Sequence, residues 1–177
     1  MEPPRQSIIG RLLALLGRRP DPTRHWAASD EPLPSFDLAS GALGDLRFED
    51  GFEQAEFLGR PDRVENPGWT RLYYLGRGFQ LYFEAGQFVE LICDIAPPPD
   101  APPKPGRGFS RPRLSGGIQL TPETRVAHVR ELFGPPESEE DYARDNILVY
   151  PRGRFYMTFE FDRPTGRLLT WSAKLDD

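Results

Sequence analysis

The sequence predicts an α+β protein: two tandem helix-plus-antiparallel-meander (αβββ) pseudo-repeats, with the helices on one sheet face. Three observations carry this. Phe57-Leu58-Gly59-Arg60-Pro61 matches Leu132-Phe133-Gly134-Pro135-Pro136, and Glu56 and Glu131 stand before them. Tyr74 to Glu84 then aligns without a gap with Tyr150 to Glu160, anchored on the Tyr, on Phe79/Phe155 and on the Phe83-Glu84/Phe159-Glu160 pairs. Between the copies lies a proline-rich spacer, Ala96 to Gly106. Self-similarity of this kind reports architecture before any motif does.

The 177 residues suit one compact domain or two small halves folded together. Net charge is −5, which argues against nucleic acid as a partner because phosphate neutralisation needs excess Lys and Arg. The single cysteine, Cys93, allows no internal disulfide. His25 and His128 leave little material for a metal or nucleophile site, and no cofactor is expected. No apolar run approaches the roughly 20 residues of a membrane span, so no transmembrane segment is expected and the chain reads as cytoplasmic.

Residues 1–42 read as an N-terminal helix and extended connector. Ile8, Leu12, Leu15 and Leu16 recur at helical spacing, but Arg11 interrupts the apolar stretch that a secretory signal requires. This helix either docks on the body or meets a partner or a membrane surface. Pro20, Pro22, Pro32 and Pro34 then mark the connector.

The first αβββ repeat spans 43–96. Asp50 is its expected helix cap, with Phe52, Ala55 and Leu58 facing inward, Gly59 as the stop and Pro61 behind it. Phe79, Leu81 and Phe83 alternate inward, followed by Val89, Leu91, Cys93 and Ile95. Residues 97–113 are a Pro-rich linker, and the proline-rich spacer Ala96 to Gly106 is unfit for a sheet interior. The second repeat spans 114–177. Its helix is expected to begin at Thr121-Pro122-Glu123, to carry Val126, Val129, Leu132 and Phe133 as an apolar stripe, and to stop at Gly134. Phe155, Met157, Phe159 and Phe161, then Leu169, Trp171, Ala173 and Leu175, form its inward rows.

A Thr-Pro-x-Thr start, a helix ending in Val-x-x-Leu-Phe-Gly-x-Pro, a Tyr-bearing strand and a Phe-rich hairpin resemble the BamE/SmpA-like domain. That domain is duplicated in tandem in the β-lactamase-inhibitory protein. The resemblance implies a protein-binding role rather than catalysis. The lipidated N-terminal cysteine of the lipoproteins has no counterpart, since Cys93 lies within a strand, so an outer-membrane role does not carry over.

Alternation turns Arg71, Tyr73, Gln80, Tyr82, Glu84, Tyr156, Thr158 and Glu160 outward, an aromatic-polar mixture of the kind enriched at contact surfaces. They are the candidate binding residues, for a protein partner. The expected function is a non-enzymatic protein-binding module, an inhibitor or immunity-type protein acting through this face. The alternative is a small-molecule or lipid-binding domain with a pocket between the repeats. A third reading would use Glu84 and Glu160 as an acid–base pair, if they shared a cleft. Gly76-Arg77-Gly78 reads as a hairpin turn and not a phosphate loop. Glu137, Glu139, Glu140, Asp141 and Asp145 read as a solvated segment or a contact patch for a basic partner.

Overall fold

A computed structural model describes residues 21–65, 69–102 and 104–176. Along the chain run β1 (Phe36–Asp37), β2 (Ala42–Leu43), β3 (Leu46–Arg47), a 3-10 helix (Phe52–Leu58), β4 (Arg63–Glu65), β5 (Trp69–Tyr74), β6 (Phe79–Glu84) and β7 (Gln87–Asp94). After the proline-rich stretch come β8 (Arg113–Leu114), β9 (Ile118–Gln119), α1 (Val126–Phe133), β10 (Ser138–Asp141), β11 (Asp145–Arg152), β12 (Phe155–Asp162) and β13 (Leu168–Leu175).

The molecule is therefore mostly β, and the expectation of two αβββ units is corrected. The strands form an antiparallel eight-stranded sheet, ordered β10-β11-β12-β13-β7-β6-β5-β4, and a five-stranded one, ordered β3-β2-β1-β8-β9. Among the described residues only two helical stretches exceed a single turn. Dimensions explain why helices alone do not make the second layer. Eight strands span roughly 35 Å at about 4.8 Å each, whereas an eight-residue helix is only about 12 Å long. The small sheet, drawn from the ends of the expected connector and linker and the opening residues of both expected repeats, fills the rest of the covering layer. Its Phe36 meets Trp171 and Phe155 edge-on at 5.3 and 5.6 Å, and Phe48 stacks on Phe88 at 5.1 Å. Trp26 stacks on Phe52 at 5.1 Å.

Three local expectations are also corrected. The second helix starts at Val126, not at Thr121. Thr121 instead opens a turn in which its Oγ1 accepts the Glu123 N–H, and extended Arg125 is the cap, its N–H donated to His128 Nδ1 at 3.3 Å. Gly51, not Asp50, precedes the first helix, while Asp50 Oδ2 accepts the Arg47 N–H at 2.7 Å. Phe88 and Leu168, not Val89 and Leu169, face inward, because bulges between Tyr82 and Phe83 and between Glu160 and Phe161 shift the register and pair Phe83 with Phe88 and Phe161 with Leu168.

Each half of the large sheet is a four-stranded meander, and the halves meet where β7 pairs with β13. The register there is centred on Ile92↔Ser172, flanked by Leu91↔Ala173 and Cys93↔Trp171. An 80-residue shift exchanges these two flanking pairs, so the seam has a local two-fold pattern. The helix ends match as well. Gly59 and Gly134 both stand at positive φ (81° and 82°) with extended ψ, a region open in practice to glycine. The Tyr74 hydroxyl donates to the Gly59 carbonyl at 3.0 Å, and the Tyr150 hydroxyl to the Gly134 carbonyl at 3.1 Å.

Among the described residues no helix is long and apolar enough to cross a membrane. The expected helix within residues 1–19 lies outside the described residues.

Candidate functional site

With the second layer on one side, the other side of the eight-stranded sheet is left as a candidate binding face. Burial of Leu72, Leu81, Phe83, Met157 and Phe159 beneath it turns their strand neighbours outward. All eight sequence-derived candidates stand on this side, but the structure does not assemble them into one site. Arg71, Tyr73, Gln80, Tyr82 and Glu84 stand on β5 and β6, and Tyr156, Thr158 and Glu160 on β12, with β7 and β13 between the two groups.

At the β5–β6 end, Arg71 is enclosed by aromatic rings. Its guanidinium lies 3.8 Å from the centroid of Tyr82, 5.1 Å from Trp69 and 5.6 Å from Tyr73. Register causes this, since Arg71 pairs with Tyr82 and Trp69 is two residues earlier on the same side. Arg71 Nη1 donates to the Tyr73 hydroxyl at 2.9 Å, which donates to Glu65 Oε2 at 2.7 Å. Arg63 lies over the Tyr73 ring at 4.3 Å and pairs with Glu65. Tyr73 and Tyr82 are each only 9% exposed, although they lie on the outer side. Burial raises the Tyr82 pKa, with Arg71 opposing, and likewise raises that of Glu90, opposite Tyr82, against Lys174 and Arg71. Trp69 is 50% exposed at the edge of this cluster. Sequence reasoning missed it, although the 69-71-73 alternation carried the signal.

Where β5 and β7 end, at Leu75 and Asp94, the proline-rich stretch folds back over the outer side. The Gly108 N–H donates to the Leu75 carbonyl at 2.8 Å and the Ser110 N–H to the Asp94 carbonyl at 2.7 Å. Arg107 pairs with Asp94 at 2.7 Å, and Arg144 with Asp100 at 3.4 Å. The approach at Gly108 is so close that a Cβ there would lie 2.0 Å from the Gly76 carbonyl oxygen. The Gly76-Arg77-Gly78 turn is thus the dock for this segment. Beneath it lies a cavity of about 220 Å³, lined by Asp94, Glu160, Leu169 and Thr170 below and by prolines 97, 98 and 102 above. Burial pushes the Glu160 pKa up, Asp145 and Asp94 add to the rise, and a hydrogen bond with Thr170 opposes it.

Gln80 lines an open hollow beside Tyr73 and Arg107, while Tyr156 and Thr158 lie opposite Lys174 and Ser172 near the seam. Glu84 and Glu160 do not meet. They are three strands apart, and Glu84 pairs with Gln87 at one end of β7 whereas the Glu160 row reaches Asp94 at the other. Seven residues of strand separate those ends, about 23 Å. The shared-cleft requirement of an acid–base pair is not met. Of the acidic group after α1, Glu139 pairs with Arg130 and Asp141 with Arg163. Cys93 is buried, which pushes its thiol pKa up and away from reactivity. Among the described residues no cluster of His, Cys, Asp and Glu could hold a metal ion.

No protein-family profile and no curated protein sequence matches this chain. Solved structures do. A cysteine-rich secretory protein from Staphylococcus aureus superposes with a TM-score of 0.50 at 11% identity, over 85% of this chain and 50% of its own. An extracellular SCP-domain protein from Bacillus anthracis gives 0.48 at 12% identity, over 87% and 49%. A DUF4309 family protein from Bacillus subtilis gives 0.42 at 12% identity, over 94% and 93%. The chain spans about half the length of the first two, and the likeness to the staphylococcal protein is one of fold alone.

Proposed function

We propose that this chain is a non-enzymatic protein-binding module that inhibits or neutralises a protein partner through the outer side of its large sheet. The observation that carries the reading is Trp69, half exposed beside an arginine already fixed by three rings. Trp, Tyr and Arg dominate binding hot spots, and side chains immobilised before contact lose little entropy on association.

The test begins with affinity capture, followed by titration calorimetry against the purified partner. Trp69→Ala and the Arg71→Ala/Tyr82→Ala double variant are expected to weaken binding at least tenfold, while Glu131→Gln on α1 leaves it unchanged. Wild-type affinity in both variants, with folding verified by circular dichroism, would remove this face from the function. An inhibitor should also lower the partner's activity at a one-to-one ratio.

A second reading, a small-molecule site, rests on the cavity under residues 96–109. Its floor crosses the seam between the meanders. At about 220 Å³ it is smaller than the roughly 300–1,000 Å³ of drug-sized pockets, which disfavours a lipid.

A further inference from the structure

The floor of this cavity follows from register. Ile147, Glu160, Thr170 and Asp94 form one row across β11, β12, β13 and β7, all on the outer side. Thr170 therefore stands between two carboxylates. Asp94 is engaged by Arg107 of the covering segment at 2.7 Å. Glu160 has the Thr170 hydroxyl, and the charges acting on it, Asp94 from β7 and Asp145 from β11, are both negative. Lys104 lies at the exposed rim, and Arg144 is held by Asp100. The walls are apolar: Ala96, Ala101, the prolines and Leu169.

A partly buried carboxylate in the floor of a cavity with mostly apolar walls calls for a cation on a hydrocarbon stem. An anion would have to settle beside Glu160, whose charge Arg107, spent on Asp94, does not offset, and a neutral molecule would leave that charge uncompensated. The space exceeds the roughly 150 Å³ that accommodates benzene, so a stem of four to six carbons fits.

We propose that this cavity is a binding site for a primary ammonium on a short alkyl stem, held by Glu160 with Thr170 beside it. The proposal rests on the second reading above, the cavity as a site, and is independent of the Trp69 end. The ammonium is carried either by a free alkylamine or by a lysine side chain of a bound protein.

The test is an amide NMR titration of the full chain at pH 7 with n-butylamine, its neutral isostere n-butanol, and Nα-acetyl-lysine amide. Butylammonium is expected to shift the amides of Asp94, Leu169 and Thr170 and to bind at least tenfold more tightly than butanol. Glu160→Gln, which keeps a hydrogen-bonding group opposite Thr170, should erase that preference, while Glu53→Gln on the 3-10 helix preserves it. Affinity should fall as pH is lowered and Glu160 takes up its proton. Lysine amide binding as well as butylamine supports a protein's lysine as the source; much weaker binding supports a free amine. Equal binding of butanol and butylammonium, or an unchanged preference in Glu160→Gln, overturns the proposal while leaving the cavity as a site. If none of the three probes shifts these amides, the proposal and the second reading both fall, and the Trp69 face is untouched.

Discussion

The two helix-to-sheet junctions solve one local problem in two different surroundings. In both, a glycine at positive φ ends a helix, a proline follows within two residues, and a strand tyrosine donates to the glycine carbonyl. The first junction is covered. The Arg60 N–H donates to the Ala27 carbonyl at 2.7 Å, and Arg77 donates to the Leu58 and Glu31 carbonyls, each at 2.6 Å, while lying over Tyr74 and Phe79. The second is open: Gly134, Pro135 and Pro136 line a shallow groove with Arg130, Glu137 and Glu139. Pro135 replaces Arg60 and has no N–H to offer a covering strand. Identical local geometry can therefore carry different energies, because the cost of a change is set by what lies beyond it.

The glycines test this most sharply. A Cβ at Gly59 would lie 2.8 Å from the Ser29 backbone nitrogen, whereas one at Gly134 meets nothing within 4 Å. Gly134→Ala should cost about 2 kcal/mol, the strain of a side chain in this region. Gly59→Ala adds overpacking against backbone and should cost about 4 kcal/mol. Urea denaturation of both variants measures the gap, and equal losses would break the comparison.

The arginines come next. Arg77→Ala removes two charge-assisted hydrogen bonds and uncovers carbonyls at the first junction, an expected loss of about 2–3 kcal/mol. Arg152, stacked over Phe133 at 5.1 Å, should cost under about 1 kcal/mol as Arg152→Ala. Thermal melts would show this as a clear separation in Tm. The smallest effect is expected from the hydroxyls. Tyr74→Phe should lose about 1.5 kcal/mol and Tyr150→Phe about 1 kcal/mol, because the first bond is buried and the second partly wet. A reversed order in chemical denaturation would mean that the open groove is drier than its lining suggests.

Much of this pair of junctions was legible in the sequence, because Gly59-Arg60-Pro61, Gly134-Pro135-Pro136 and the two tyrosines are local signals. The long strands were legible for the same reason: period-two alternation from Phe79 to Phe83 and from Phe155 to Phe161 needs no tertiary information. The small sheet was not. Its strands are two residues long, too short for any period, and Phe36 and Leu114 pair across 78 positions. The start of α1 was misplaced because Thr121-Pro122-Glu123 satisfies every capping preference yet forms a turn. Alternation placed the outward candidates on one side but carried no information on their separation along β7. The cavity was hidden for a similar reason, since composition marks Ala96 to Gly106 as unfit for a sheet interior without saying what they lie against.

The seam between the meanders has a temporal consequence. Its partners Ile92 and Ser172 are 80 residues apart, so closing the sheet requires a long-range contact while each meander needs only hairpins. At about 5–20 residues per second, β13 is synthesised roughly 4–16 s after β7. Through that interval Gln87–Asp94 has no partner on one side, with Phe88, Leu91 and Cys93 on its apolar flank. We expect nascent chains that end before Leu168 to be the form of this protein most prone to aggregate, and the one a chaperone would hold.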